Sequence, residues 1–413
     1  MSIDVRPSED AARFLATDQL VWFGEVGEAD ADHLRLGLPE DQRFVVDLPD
    51  GPDDRHSGIY GVRPMELALP GGALVPIAGL TWVGVHPDVR RRGVLSAMMA
   101  DHLARTRDAG LALSALHASE QGIYGRFGYG MAALQLQVHL GRGTTFTAPH
   151  LEDEVAGTTT HLVDSSAPGA TDRWRDCALA HAPDAPGTVV GSSDFIRLFG
   201  SESDAELRDK ERRRILFARR DGRDTGAVMF RREHKWDDAR PSGTVTAGLL
   251  TGGPAARLAL LRRLVDLDLM GTTKVEAVAT DDPVLDWVGG PRGTGTVKTW
   301  DSTWIRVVDL SAAWSQRTYE DDCDVVVEVA DRHAPWNAGR WRLVASGGEG
   351  TASRVDAPAD ASLDVAVLGA GHLGRSVANL LRAGLVQEHR PGAYAALSRA
   401  LRTAAEPEPS FGF

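Results

Sequence analysis

Apolar positions change period twice between residues 78 and 118. Residues 78–85, AGLTWVGV, read as a strand that stops at Pro87, because proline has no N–H to give a ladder. Leu95, Met98, Met99, His102 and Leu103 then recur at the three-and-four spacing of one buried helical face, and Gly110 is placed to end that helix. Residues 111–118 follow as a strand whose small and apolar side chains suit a sheet covered on both faces. The predicted order is strand, helix, strand.

A similar order returns later. Residues 248–251 are apolar and lead into Pro254; Leu258, Leu261 and Val265 mark a helical face ending at Gly271, and Val275, Ala277 and Ala279 alternate as a strand does. This stretch lacks the basic loop of the first, so it is either a degenerate internal copy or an echo that any α/β chain produces. The last segment has strand-like runs at 324–329 and 340–345, then helical patterns at 374–383 and 393–403, with Tyr394, Leu397 and Leu401 as the core-facing stripe of the second. The chain closes on EPEPSFGF, an extended tail. Terminal residues fray unless something holds them, and two phenylalanines at the very end point to a holder.

At 413 residues the chain exceeds one hydrophobic core. Gly-, Thr-, Ser- and Pro-rich stretches at 141–172 and 289–296 place boundaries near 145 and 290, giving segments 1–145, 146–290 and 291–413. A composition of 43% hydrophobic and 25% charged residues excludes disordered and fibrous classes. The longest apolar runs are cut, as 74–85 is by Pro76 and Gly79, well short of the roughly 18 residues of a membrane helix. The polar, acidic start does not fit a secretory signal, and Cys177 and Cys323 form no motif for a disulfide framework or zinc. The expectation is a cytoplasmic protein with no metal and no membrane partner. A formal net charge of −13 disfavours nucleic acid and favours cationic substrates.

Candidate chemistry concentrates in two passages. Arg90, Arg91, Arg92, Gly93, Val94 and Leu95 stand between a strand and a helix, so their backbone N–H groups fall on the unpaired first turn, where they can bind a pyrophosphate. Preceded by Val83, Gly84, Val85, His86 and Pro87, this loop resembles the signature of the GNAT acetyltransferase superfamily, whose Arg/Gln-x-x-Gly-x-Gly/Ala turn binds acetyl-CoA; here the last position is Leu95. In the second passage, HASEQGIYGRFGYG from His117 to Gly130, Tyr124 followed by Phe127 and Gly128 matches the tyrosine of that superfamily beside the thioester sulfur.

Taken with the terminal Phe-Gly-Phe, these passages are similar to the enhanced intracellular survival (Eis) family of bacterial N-acetyltransferases. The resemblance implies an α/β (α+β) chain: a GNAT fold in 1–145, a degenerate GNAT-like domain in 146–290 and a sterol-carrier-like α+β domain in 291–413. It implies acetyl-CoA contacts at Val83, Gly84, Val85, Arg91, Arg92, Gly93, Val94, Leu95, Ser96, Ser119 and Glu120. Tyr124 is the implied general acid and the Phe413 carboxylate the implied base or amine anchor, with Trp82, Phe23 and Glu25 lining the substrate pocket. The implied substrates are primary amines of polycationic small molecules, aminoglycosides among them, with antibiotic resistance as consequence and a homo-hexamer as assembly. A protein lysine substrate and a non-enzymatic lipid carrier are the alternatives.

The chemistry asks for such groups. An amine attacks a thioester only when neutral, yet a lysine-type amine has a pKa of about 10.4, so a proton must leave. The departing thiolate needs a proton, and a phenol with a pKa of about 10 holds one at neutral pH. A terminal carboxylate, at about 3.5, is a weak base that can position the cation and pass its proton to water. Direct attack needs no cysteine nucleophile. Residues 367–374, VLGAGHLG, spell GxGxxG but leave too little chain for a nucleotide-binding half, and read as a turn before a helix.

Overall fold

The computed structural model describes residues 3–22, 37–200, 202, 207 and 211–413. By contacts the chain forms two compact units: Met1–Ala132, Thr303–Ala404 and Gly412–Phe413 make the first, Ala133–Ser302 and Ala405–Phe411 the second. The boundaries expected near 145 and 290 both fall inside the second unit. An exchange of strands accounts for this.

In the first unit the antiparallel strands Arg43–Val46, Gly58–Ala68 and Leu74–Val85 are followed by Leu113–His117, which runs parallel to the last of them. Next to it lies Thr303–Val307, with Trp304 opposite Leu116, and then the short strand Gly130–Met131. The strand that comes next in sequence, Leu134–Gly141, instead lies in the second unit between Met270–Val278 and Thr296–Asp301. Alternation along a strand shows that one face is buried, not which sheet it joins.

The helix Val94–Asp108 connects the two parallel strands and buries Met98, Met99, His102 and Leu103, as their spacing predicts, while Leu95 is only half-buried and Val94 takes the buried place in the first turn. Arg105 and Arg107 in its last turn suit the negative end of the helix dipole.

The C-terminal part of this unit is a sheet in the order Glu349–Arg354, Gly339–Ser346, Cys323–Ala330, Ala361–Asp364 and Val386–Glu388. The helix Ala393–Leu401 packs on it through the predicted Tyr394, Leu397 and Leu401. Two expectations are corrected here. Only Asn379–Arg382 of residues 374–383 is helical. The GxGxxG run is a turn only in its second half: Gly369 and Gly371 lie in the helix Val365–Gly371, capped by Asp364 accepting from the Ala366 N–H, and the turn follows at His372 and Leu373, ahead of the short helix Asn379–Arg382. A Cβ at Gly369 would come within 2.3 Å of the Ile305 carbonyl oxygen, so that glycine serves close packing of helix on strand.

Arg306 ties the two sheets of this unit together. Its guanidinium is fully buried, donates to both carboxylate oxygens of Asp331 at 2.7 and 2.8 Å, and reaches the Phe127 carbonyl at 2.8 Å. Breaking a buried pair leaves an uncompensated charge, so Arg306→Met is expected to destabilise the protein by about 3–5 kcal/mol, read as a lowered urea midpoint.

In the second unit the strand Gly243–Gly252, the helix Pro254–Val265 and the parallel strand Met270–Val278 repeat the first unit's order. Leu249, in the first of these strands, has φ 52°, as Trp82 has in Leu74–Val85. Two strands with the same left-handed kink before the crossover helix favour the internal copy over the echo.

Candidate active site

Leu74–Val85 and Leu113–His117 pair only at Ala78 with Ser114 and at Gly79 with Ala115; past that point no pairing between them occurs among the described residues. Trp82, at φ 52°, lies in a stretch where the register with Gly58–Ala68 shifts, between Ile59 and Gly61. A left-handed non-glycine residue costs roughly 1–2 kcal/mol, and such kinks collect at functional sites. The parted strands thus leave the backbone of Val83, Gly84 and Val85 unpaired on the side facing the gap.

The arginine turn borders the same strand. Arg90, Arg91, Arg92 and Gly93 are all exposed, and Arg91 and Gly93 are left-handed at φ 62° and 89°. The first helical bond runs from Ala97 N–H to Gly93 O, so the N–H groups of Val94, Leu95 and Ser96 precede the ladder. Arg92 donates to Asp50 at 2.6 Å, an exposed pair, and holds that carboxyl below its usual range. Both side chains lie in water, where such a pair is weak and screened, so a phosphate could displace it.

Tyr124 ends the short helix Gln121–Tyr124 and is buried in one apolar cluster with Val94, Met98 and Leu116, against which Val83, Val85, Leu95 and Ala118 pack. Burial, with Glu120 second, pushes its phenol up to about 12, so it keeps its proton throughout the neutral range. Its ring meets Tyr129 edge-on at 6.0 Å; Tyr129 bonds Ser114 Oγ at 2.9 Å, and Ser114 bonds His102 Nε2 at 2.8 Å. Burial, with Arg306 nearby, lowers His102 to about 3, so this string is neutral. Ser119 and Glu120 are exposed beside it.

A cleft of about 500 Å³ is lined by Asp18, Trp22, Arg63, Trp82, Ser119 and Phe413, among others. The Phe413 ring meets His117 edge-on at 5.2 Å, and Phe14 stacks on Trp82 at 6.0 Å. The structure therefore brings Trp82, Ser119 and Phe413 together, while Phe23 and Glu25 lie outside the described residues. Asp18 and Arg63 escaped the sequence reading. Asp18 follows Phe14 and precedes Trp22 by one helical turn each in Ala11–Trp22, and a carboxylate on that apolar stripe was the available signal. Burial, partly offset by Arg63, pushes its carboxyl up to about 6. No group of His, Cys, Asp and Glu among the described residues could hold a metal ion.

Residues 6–132 match the acetyltransferase (GNAT) domain and residues 310–412 the sterol carrier protein domain. An uncharacterized N-acetyltransferase of Streptomyces avermitilis is 35% identical over 431 aligned positions covering all of both chains. The N-acetyltransferase Eis of Mycobacterium bovis is 30% identical over 87% of this chain and 86% of its own. The chain belongs to the Eis family. The Eis1 structure from Mycobacterium abscessus covers 99% of the chain at a TM-score of 0.81 and 28% identity. A GCN5-related N-acetyltransferase from Anabaena variabilis, at 14% identity and a TM-score of 0.80, shares the fold. As an Eis-family member the protein is an acyl-CoA-dependent N-acetyltransferase, which sets aside the non-enzymatic carrier. Membership of the GNAT superfamily implies acetyl-CoA as cosubstrate, and the open helix start beside parted strands fits it. No helix of the described residues is long and apolar enough to cross a membrane.

Proposed function

We propose that this Eis-family enzyme acetylates primary amines of polycationic small molecules, of the aminoglycoside class, by direct attack. One observation carries the reading: Phe413 lines a cleft that also holds a half-buried carboxyl, Asp18, and two tryptophans, Trp22 and Trp82. Two carboxyl groups between aromatic walls, one of them partly offset by Arg63, suit an ammonium ion. Acetyl-CoA supplies the activated acyl group. The N–H groups of Val94, Leu95 and Ser96, with Arg91, Arg92 and Gly93, would hold its phosphates, and Ser119 and Glu120 would flank it. The backbone of Val83, Gly84 and Val85 would take its extended arm.

Tyr124 then acts as general acid, giving its proton to the departing sulfur. Phe413 positions the amine through its terminal carboxylate and relays the ammonium proton to water. Phe23 and Glu25 belong to the proposed pocket on the strength of the resemblance. Assembly as a homo-hexamer is part of the proposal, checked by analytical ultracentrifugation. A thiol-release assay with an aminoglycoside panel, and with lysine-containing proteins in parallel, tests the substrate class. Turnover confined to protein lysines would overturn it.

Two predictions arise here. Gly93→Ala meets only Ile3 Cδ1, at 3.6 Å, so its effect comes from the left-handed backbone and not from a clash. With a strain of about 1–2 kcal/mol, the KM for acetyl-CoA is expected to rise roughly five- to thirtyfold if the turn relaxes. Asp18 is charged above pH about 6 and neutral below it, so its attraction for a cation is present at pH 7.5 and lost at pH 5. An attraction of about 1 kcal/mol is roughly fivefold in KM. The pH profile of kcat/KM for the amine should bend near pH 6, and Asp18→Asn should remove that bend.

A further inference from the structure

The second unit carries a cleft of its own, about 350 Å³, lined by Phe199, Arg213, Met229, Arg231, Gly248 and Glu276, among others. Its wall uses the strand positions that build the cleft of the first unit. Arg63 pairs in register with Gly79, three residues before the kinked Trp82, and Arg231 pairs with Thr246, three before the kinked Leu249. On the parallel strand, Ala115 lies opposite Gly79 and Lys274 opposite Thr246, which puts His117 and Glu276 each two residues further along. The antiparallel register also shifts in both units, between Ile59 and Gly61 and between Ala227 and Met229.

The parts that transfer an acyl group have no equivalent around this cleft. Gly252 and Gly253, not arginines, precede the helix Pro254–Val265, and Arg257 in its first turn is buried against Asp282 at 3.2 Å and Glu408 at 2.7 Å. The short helix that ends on Tyr124 in the first unit has its counterpart in Val284–Trp287, and an indole N–H gives up no proton at neutral pH. What remains is a place to hold a molecule. Its chemistry has both signs. Arg213 and Arg231 both pair with the buried Glu202, and the buried Arg231 Nε has no acceptor. On the parallel strand, Glu276 Oε1 is taken by Lys274 at 2.6 Å and Gln137 at 3.3 Å, so Oε2 is the oxygen turned to the cleft floor. That floor is bare: a Cβ on Gly248 would meet nothing nearer than Glu276 Oε2, at 4.0 Å. Glu233 adds an exposed carboxylate, and Phe199, Met229 and Leu249 give apolar surface.

We infer that the second unit is a binding module whose cleft takes a small zwitterion, an α-amino acid with an apolar side chain. The ligand carboxylate meets the guanidiniums of Arg231 and Arg213, its ammonium meets Glu276 Oε2 and Glu233, and its side chain lies against Phe199 and Met229. A simple anion would face the two carboxylates and a polycation the two guanidiniums, so only a ligand with both charges avoids repulsion. The volume stands at the small end of ligand sites, which run roughly 300–1,000 Å³, and suits a molecule much smaller than acetyl-CoA. The inference is independent of the amine that the first unit acetylates.

Ligand-observed NMR on the full chain, titrated with L-methionine and L-phenylalanine, tests it. N-acetyl-L-methionine, without the ammonium, and L-methionine methyl ester, without the carboxylate, serve as single-charge probes. At least one free amino acid should bind saturably with a Kd below about 1 mM, and both single-charge probes at least about tenfold more weakly than L-methionine or not at all. Gly248→Leu fills the bare floor and Glu276→Gln removes the carboxylate charge. Each should weaken binding at least about tenfold while acetyl-CoA turnover holds, and the milder Glu276→Gln decides if Gly248→Leu fails to fold. No saturable binding of either amino acid up to about 10 mM overturns the inference. So does single-charge binding as tight as that of L-methionine, or unchanged affinity in a folded variant. An aminoglycoside that binds more tightly than the amino acids, and loses that binding in Glu276→Gln, would make the cleft a cation site and overturn it too.

Discussion

Tyr124→Phe is expected to lower turnover by about two to three orders of magnitude while leaving acetyl-CoA binding intact, because general acid catalysis contributes typically 10²–10⁴-fold. The substitution deletes one hydroxyl from a ring that packs with Val94, Met98 and Leu116, and phenylalanine fills the same apolar space. Burial has already moved the phenol up to about 12, so the wild-type group stays protonated across the assay range. The loss should therefore be the same at pH 6 and pH 9. Single-turnover rates, with acetyl-CoA affinity measured by calorimetry, separate the two effects. Unchanged turnover would remove Tyr124 from the reaction.

Extending the chain past Phe413 by a Gly-Ser dipeptide is expected to cost roughly tenfold to a hundredfold in kcat/KM for the amine, since a misplaced or missing anchor loses orientation. The extension converts the Phe413 carboxylate into a neutral amide and pushes two further residues into a cleft of about 500 Å³. Stability should change little. Phe411 and Glu408 hold the tail upstream of the addition, in the second unit. Steady-state kinetics beside a thermal melt checks both halves, and an extended protein with normal rates would show the terminal carboxylate to be idle.

These expectations differ in how far the sequence alone supports them. The arginine turn and its helix were legible because everything they need is local: a proline stop, a glycine and an apolar stripe spaced for one helical face. Tyr124 was legible through its motif, yet its perturbed phenol was not, since the residues that desolvate it come from separate strands and helices. Asp18 went unnoticed for the same reason. Its carboxyl is unusual only because the helix Ala11–Trp22 lays it in the cleft with Arg63 and Phe413. The glycine run at 367–374 misled in the opposite direction, because glycine that permits close packing and glycine that turns the chain look alike in sequence.

By itself the sequence determined most of the local pieces around the first crossover: the strand that stops at Pro87, the arginine turn with its unpaired helix start, the helix Val94–Asp108 and the strand Leu113–His117 after it. The tertiary structure alone decided that Leu134–Gly141 and Thr303–Val307 exchange sheets, that Asp18 joins the cleft, and that Arg257 grips Glu408 across 151 positions. The reason is one of range. Backbone propensity and periodicity act over a few residues, whereas strand partners, buried charge pairs and desolvation depend on segments that meet only once the whole chain has packed.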